Sequence, residues 1–234
     1  MQRWRNAVMS LVLALLAGGC ATTSTDRGTT NMRYLALGDS YTIGEGVAEP
    51  GRWPVQLARS LRAEGIALGE PRFIATTGWT TDELSAAIDA AQPLGQYDFV
   101  TLAIGVNNQY RGRDVDEYRE QFAALLERSI GFAGGRADRV LVLSIPDWGV
   151  TPFARAQGRD AAQIAAQLDA YNAAAAEVCA RRAVAFVDIT AVSRQLGAQE
   201  AMLVDDALHP SADMYALWTA RALPVARRLL GGAE

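Results

Sequence analysis

The chain has 234 residues, half of them hydrophobic, with 22 basic and 26 acidic side chains and a net charge of −4. That is enough chain to bury one substantial core, and its charges of both signs are dispersed, so no nucleic-acid partner is expected. Every basic residue is arginine and His209 is the sole imidazole. Lysine Schiff bases, serine–lysine dyads and the lysine of a phosphate loop are thereby excluded. With only Cys20 and Cys179 as thiols, no multi-imidazole metal site can be assembled, and no cofactor or metal is expected.

In chain order, the first segment reads as a signal peptide over residues 1–19: Arg3 and Arg5, an apolar run over 8–17, then Gly18 and Gly19. The run is too short for a stable membrane span. It ends at Cys20 and resembles a bacterial lipoprotein signal, in which cleavage leaves that cysteine as the lipidated first residue. Ala17 stands where such signals usually carry leucine, and the leucine here is Leu16. Ordinary secretory cleavage and a retained anchor are the alternatives. A lipidated Cys20 implies a membrane tether and a place in the bacterial cell envelope, periplasmic or membrane-anchored; otherwise the protein is secreted. Residues 20–31 are rich in threonine and poor in apolar side chains, as in a flexible tether.

From residue 32 to 234 a single domain is expected. Short apolar runs at 34–37, 73–75, 99–104, 140–145 and 184–187 read as buried strands. Between them lie helical patterns. Leu84, Ala87, Ile88 and Ala91 share a face behind a Thr80/Glu83 capping box. Val115, Tyr118, Phe122, Leu125, Leu126 and Ile130 follow Asp114 as cap. Ile164, Leu168, Tyr171, Ala175, Val178 and Cys179 form a further stripe, which makes Cys179 a small buried hydrophobe rather than a reactive thiol. A last helix starts after Pro210 with Ser211 as cap, and Pro224 should kink it. Five buried strands alternating with helices specify an α/β sandwich with a parallel sheet. Ligands in such folds bind beyond the carboxyl ends of the strands.

Four segments at those ends carry candidate chemistry. Gly38-Asp39-Ser40 follows the first strand and can expose a hydroxyl in a tight turn, though a capping serine would look the same. Gly78, after the second, offers an unobstructed N–H, as any turn glycine does. Asn107, Asn108 and Gln109 follow the third; asparagine amides are neutral donors that can face developing negative charge, while turn formation and helix entry would account for one asparagine but not the cluster. Asp206 and His209 sit three residues apart near the C-terminus, where a carboxylate can hold Nδ1–H and leave Nε2 free as base, though taken alone a histidine before a helix also reads as a surface residue. Trp79, Tyr110, Trp148 and Phe153 flank these segments and can line an acyl or sugar pocket, or simply pack.

In combination these segments resemble the SGNH (GDSL-type) hydrolase family, named for serine, glycine, asparagine and histidine in four blocks. The resemblance runs from about Tyr34 to the last helix. It implies a three-layer α/β/α sandwich with five parallel strands in flavodoxin-like order. It makes Ser40 the nucleophile, His209 the base and Asp206 its orienting acid, with Ser40, Gly78 and Asn107 as the oxyanion hole. Tyr41 replaces the leucine of the shorter family name, and Asn108 the aspartate often found after the block-three asparagine. No Gly-x-Ser-x-Gly surrounds Ser40, so the nucleophile elbow of the α/β-hydrolases is absent. The implied activity is a serine esterase acting on small-molecule or carbohydrate esters through an acyl-enzyme. No long apolar lid insertion is present, which favours short acyl or acetyl groups. The alternatives are a thioesterase or lysophospholipase of the same fold, and a noncatalytic carbohydrate-binding envelope lipoprotein.

Overall fold

A computed structural model describes residues 31–231. The expected signal segment 1–19, Cys20 and nearly all of the tether 20–31 lie outside the described residues.

The five apolar runs form five parallel strands: β1 (Met32–Gly38), β2 (Leu68–Ala75), β3 (Phe99–Ala103), β4 (Val140–Leu143) and β5 (Ala185–Val187). Their order is β2-β1-β3-β4-β5, the flavodoxin-like arrangement, whose switch point lies between β1 and β3. β1, β3 and β4 are buried at nearly every position, which is why they read as continuous hydrophobic runs. β2 begins five residues earlier than its apolar signal. It is an edge strand whose middle alternates half-buried and exposed residues between buried ends, and the edge position tolerates Pro71, which has no N–H to give to a ladder.

Nine helices connect and cover the strands among the described residues: α1 (Ser40–Ile43), α2 (Trp53–Ala63), α3 (Thr81–Ala90), α4 (Val106–Tyr110), α5 (Val115–Phe132), α6 (Pro152–Ala156), α7 (Ala161–Arg181), α8 (Thr190–Leu196) and α9 (Ala212–Leu229). The sheet lies between two helical layers, with α2 against α9 in one and α3, α5 and α7 packed successively in the other. Local chemistry sets the helix starts. Glu83 reaches back to the Thr80 amide at 2.8 Å. Asp114 accepts the amides of Asp116 and Glu117, Asp160 those of Ala162 and Gln163, and Ser211 that of Met214. α9 continues through Pro224, whose missing N–H leaves one carbonyl of the preceding turn without a helical donor. The Cys179 stripe faces the core, and burial pushes that thiol up to about 12. No described helix is long and apolar enough to cross a membrane.

Strand register decides where the chain leaves the sheet. Gly38 is opposite both Ala75 and Ala103, so β1, β2 and β3 end in one row and their exit loops converge.

Candidate active site

β1 runs straight into α1. A Cβ on Gly38 would lie 2.1 Å from Thr42 Oγ1 and 2.4 Å from the Ala103 carbonyl oxygen, so glycine is what lets the strand end turn this tightly against β3. Asp39 follows as N-cap, its Oδ1 accepting the Tyr41 amide at 3.0 Å. Its side chain is buried. Desolvation pushes the carboxyl up to about 7, against the lowering effect of the Tyr41, Asp39 and Gly105 amides. Ser40 is thus the first residue of a helix, with its N–H among the free donors of that terminus. That N–H donates to no other described residue.

The loop after β2 turns at Gly78, where φ is +89° and an added Cβ would meet only Arg111 Nη2, 4.0 Å away. Glycine is required here by backbone conformation, not by space. Arg111 holds this peptide in place, donating Nη2–H to the Gly78 carbonyl at 2.6 Å and Nη1–H to Glu83. The Gly78 N–H, like that of Ser40, has no partner among the described residues.

After β3 the chain passes Gly105, where φ is +130° and a side chain would strike the Tyr118 ring at 2.5 Å, and enters α4. Its three amide side chains divide their work. Asn107 donates to the Trp79 carbonyl at 2.9 Å, which ties it to the Gly78 loop and leaves its second amide hydrogen available. Asn108 is fully buried and exchanges two hydrogen bonds with Thr81, so the residue standing in place of an aspartate docks α4 onto α3. Gln109 accepts Trp148 Nε1–H at 2.8 Å and donates to Gln167 at 2.7 Å. The sequence marks all three as a cluster; only the fold separates the one facing the cavity from the two that brace it.

The fourth segment is a closed loop. Val204 N–H donates to the His209 carbonyl, Leu203 pairs with Pro210, and Ala207 between them has a φ of +61°. Asp206 Oδ2 lies 2.5 Å from His209 Nδ1, while Oδ1 accepts the amides of His209 and Leu208 at 2.8 and 2.9 Å. Partial burial raises the Asp206 carboxyl, but those three donors outweigh it and hold the group below its ordinary value. The Tyr41 ring packs 5.6 Å from the imidazole.

These four segments meet at one cavity of about 190 Å³. Ser40, Gly78, Asn107 and His209 line it, together with the aromatic rings of Tyr110, Trp148 and Phe153. Asp206 contributes from behind His209. Trp79 does not line the cavity; its side chain packs against the core and its carbonyl anchors Asn107. No hydrogen bond joins the Ser40 hydroxyl to His209, although both line the same cavity.

The model of the GDSL-like lipase/acylhydrolase family matches residues 36–217, which span all four segments. The chain belongs to this family. A search of curated protein sequences returned no significant match. Among solved structures it is similar to the psychrotrophic esterase EstA from Pseudoalteromonas sp., with a TM-score of 0.65 and 15% identity over 86% of this chain and 100% of that one. A lipase/acylhydrolase from Enterococcus faecalis gives 0.62 and 23%, over 87% and 100%. A variant of an acetyl xylan esterase from Geobacillus stearothermophilus gives 0.61 and 19%, over 87% and 96%. At these identities the likeness is one of fold. Within this GDSL-like hydrolase the three loops that follow β1, β2 and β3, and the loop before α9, are therefore the segments that the family match and the cavity have in common.

Proposed function

We propose that the protein is a serine esterase that cleaves short-chain or acetyl carboxylic esters through an acyl-enzyme. The observation that carries this reading is the convergence of Ser40, His209 and three unused donors on one cavity, with Asp206 already bonded to the far side of the imidazole. Asp206 keeps the proton on Nδ1, so Nε2 presents a lone pair to the cavity. Nε2 takes the Ser40 proton as Oγ attacks the ester carbonyl. The Ser40 and Gly78 N–H groups and the Asn107 amide hold the oxyanion. The tetrahedral adduct collapses with loss of the alcohol, which receives its proton from His209. Water then attacks the acyl-enzyme by the same route and releases the acid.

Support comes also from the neighbours: one of the similar structures is an esterase inhibited by monoethylphosphonate and another is an acetyl xylan esterase. The small cavity favours short acyl groups over long chains. The N-terminal pattern adds a cell-envelope location through lipidation of Cys20, checked by whether metabolic labelling with a fatty-acid analogue is lost in Cys20→Ser.

The decisive experiment treats purified wild type and Ser40→Ala with a fluorophosphonate probe and, in parallel, with chromogenic esters of increasing acyl length. Labelling and hydrolysis confined to the wild type are expected. Equal turnover in Ser40→Ala overturns the nucleophile, and a wild type that neither labels nor turns over any ester is a binding protein.

A further inference from the structure

One wall of the cavity is aromatic. The Tyr110 and Trp148 rings lie 5.3 Å apart, and Phe153 is 6.5 Å from Trp148. Above the first two sits an arginine: the Arg159 guanidinium carbon is 5.2 Å from the Tyr110 centroid and 5.3 Å from that of Trp148. A cation over two ring faces is attracted by both quadrupoles. Its position is also set by the backbone. Gly158, with a φ of +60°, reverses the chain between α6 and α7, and the Arg159 amide donates to the Ala154 carbonyl at 3.0 Å.

What distinguishes Arg159 is that its charge is not committed. Arg111 is bonded to Glu83 and the Gly78 carbonyl, and Arg194 to Asp147 and Asp169. Arg159 forms no ion pair among the described residues, and the adjacent Asp160 instead caps α7. Arg159 stands outside the cavity lining, over its Tyr110 and Trp148 edge; no acidic side chain among the described residues lines the cavity, and the carboxylates behind that lining are engaged, Glu45 by the Thr77 hydroxyl and Asp206 by His209. Arg155, on α6, borders a neighbouring groove whose other members include Glu200 and Asp205, so local acids offset it there. A guanidinium held over rings and paired with no carboxylate keeps its N–H groups free for an incoming carboxylate or phosphate, and the ring contacts reduce the rotamer freedom that such a contact would otherwise cost.

We propose that Arg159 makes the aromatic rim an anion subsite, so that the preferred ester carries a second, anionic group, a carboxylate or phosphate, away from the scissile bond. This rests on the serine-esterase reading of the same cavity. The site is solvent-exposed, and the expected preference is correspondingly moderate, about five- to tenfold.

The test compares charged and neutral esters of matched size by pH-stat. In one arm the charge is in the acyl part, ethyl hydrogen glutarate against ethyl valerate. In the other it is in the alcohol, acetyl esters of a hydroxy acid and of a phosphorylated diol against their neutral counterparts. The readout is the ratio of kcat/KM for anionic over neutral ester. In Arg159→Gln this ratio should fall five- to tenfold in at least one arm, with Arg159→Lys intermediate, and 0.5 M salt should compress the wild-type ratio about as far. A purely structural role for Arg159 would slow both esters alike and leave the ratio where it was. A fall of threefold or more in either arm supports the subsite. A smaller change in both, with neutral esters still cleaved in a Ser40-dependent way, overturns the subsite alone. Loss of all Ser40-dependent hydrolysis in the wild type overturns the esterase reading and the subsite with it.

Discussion

Replacing Asp206 by asparagine separates the electrostatic part of the candidate site from its architecture. Asp206 accepts three hydrogen bonds: Oδ2 takes the His209 Nδ1–H at 2.5 Å, and Oδ1 takes two loop amides at 2.8 and 2.9 Å. Asparagine keeps an oxygen for the two amides, so the loop should hold its shape. It places an NH2 group opposite Nδ1. The imidazole then accepts at Nδ1 and carries its proton on Nε2, where it cannot take one from Ser40. A swap of this kind in a triad typically costs about 10⁴-fold in turnover. Stability should change by less than about 1 kcal/mol, because the altered hydrogen bond is partly exposed, with 42% of the Asp206 side chain open to solvent. Asp206→Ala should lose comparable activity and, with both amides left without an acceptor, about 1–2 kcal/mol of stability besides. Hydrolysis of a short chromogenic ester gives the first quantity and urea denaturation the second. Asp206→Asn retaining activity within tenfold of wild type would refute the assignment of Asp206 as the orienting acid.

Asn107→Ala should fold normally, since it gives up a single partly buried contact to Trp79, yet lose about 10²- to 10³-fold in kcat; thermal melts and steady-state kinetics separate the two. Gly38→Ala should destabilise by about 1–3 kcal/mol, because the new methyl overlaps Thr42 and the Ala103 carbonyl, and an unshifted urea midpoint would contradict the packing. Asp39 supplies a pH test. Its folded value is raised to about 7 from 3.8, so the native state binds the extra proton between those limits. The stability Asp39 contributes is complete below about pH 4 and is lost as pH rises through 7. Asp39→Asn should flatten the wild-type decline across that window in pH-dependent denaturation, and parallel curves for the two proteins would rule out the buried proton.

The parts of the fold most legible from sequence were those buried on both sides. β1, β3 and β4 announce themselves as unbroken apolar runs, and the capped helices α3, α5 and α9 as periodic stripes behind Thr80, Asp114 and Ser211. α2 left no comparable mark. Its buried face includes Pro54 and Gln56, and Gln56 can sit inside only because its amide reaches the carbonyls of Gly51 and Ala212, the latter 156 residues away. The candidate site shows the same division. Ser40, Gly78, Asn107 and His209 are found by their positions after strands or before the last helix. The brace of Gln109 behind Trp148 and the placement of Arg159 over two rings are tertiary facts, joining residues with no fixed spacing.

The amide of Phe153 donates to the Ala207 carbonyl at 3.2 Å, between Asp206 and His209. The segment that shapes the cavity wall is therefore fastened to the loop that carries His209. On the proposed mechanism, a change in α6 made to admit a larger acyl group would also pull on the imidazole, so selection for new substrates at residues 152–159 should return variants whose rate and specificity shift together, with compensating changes in the 203–210 loop.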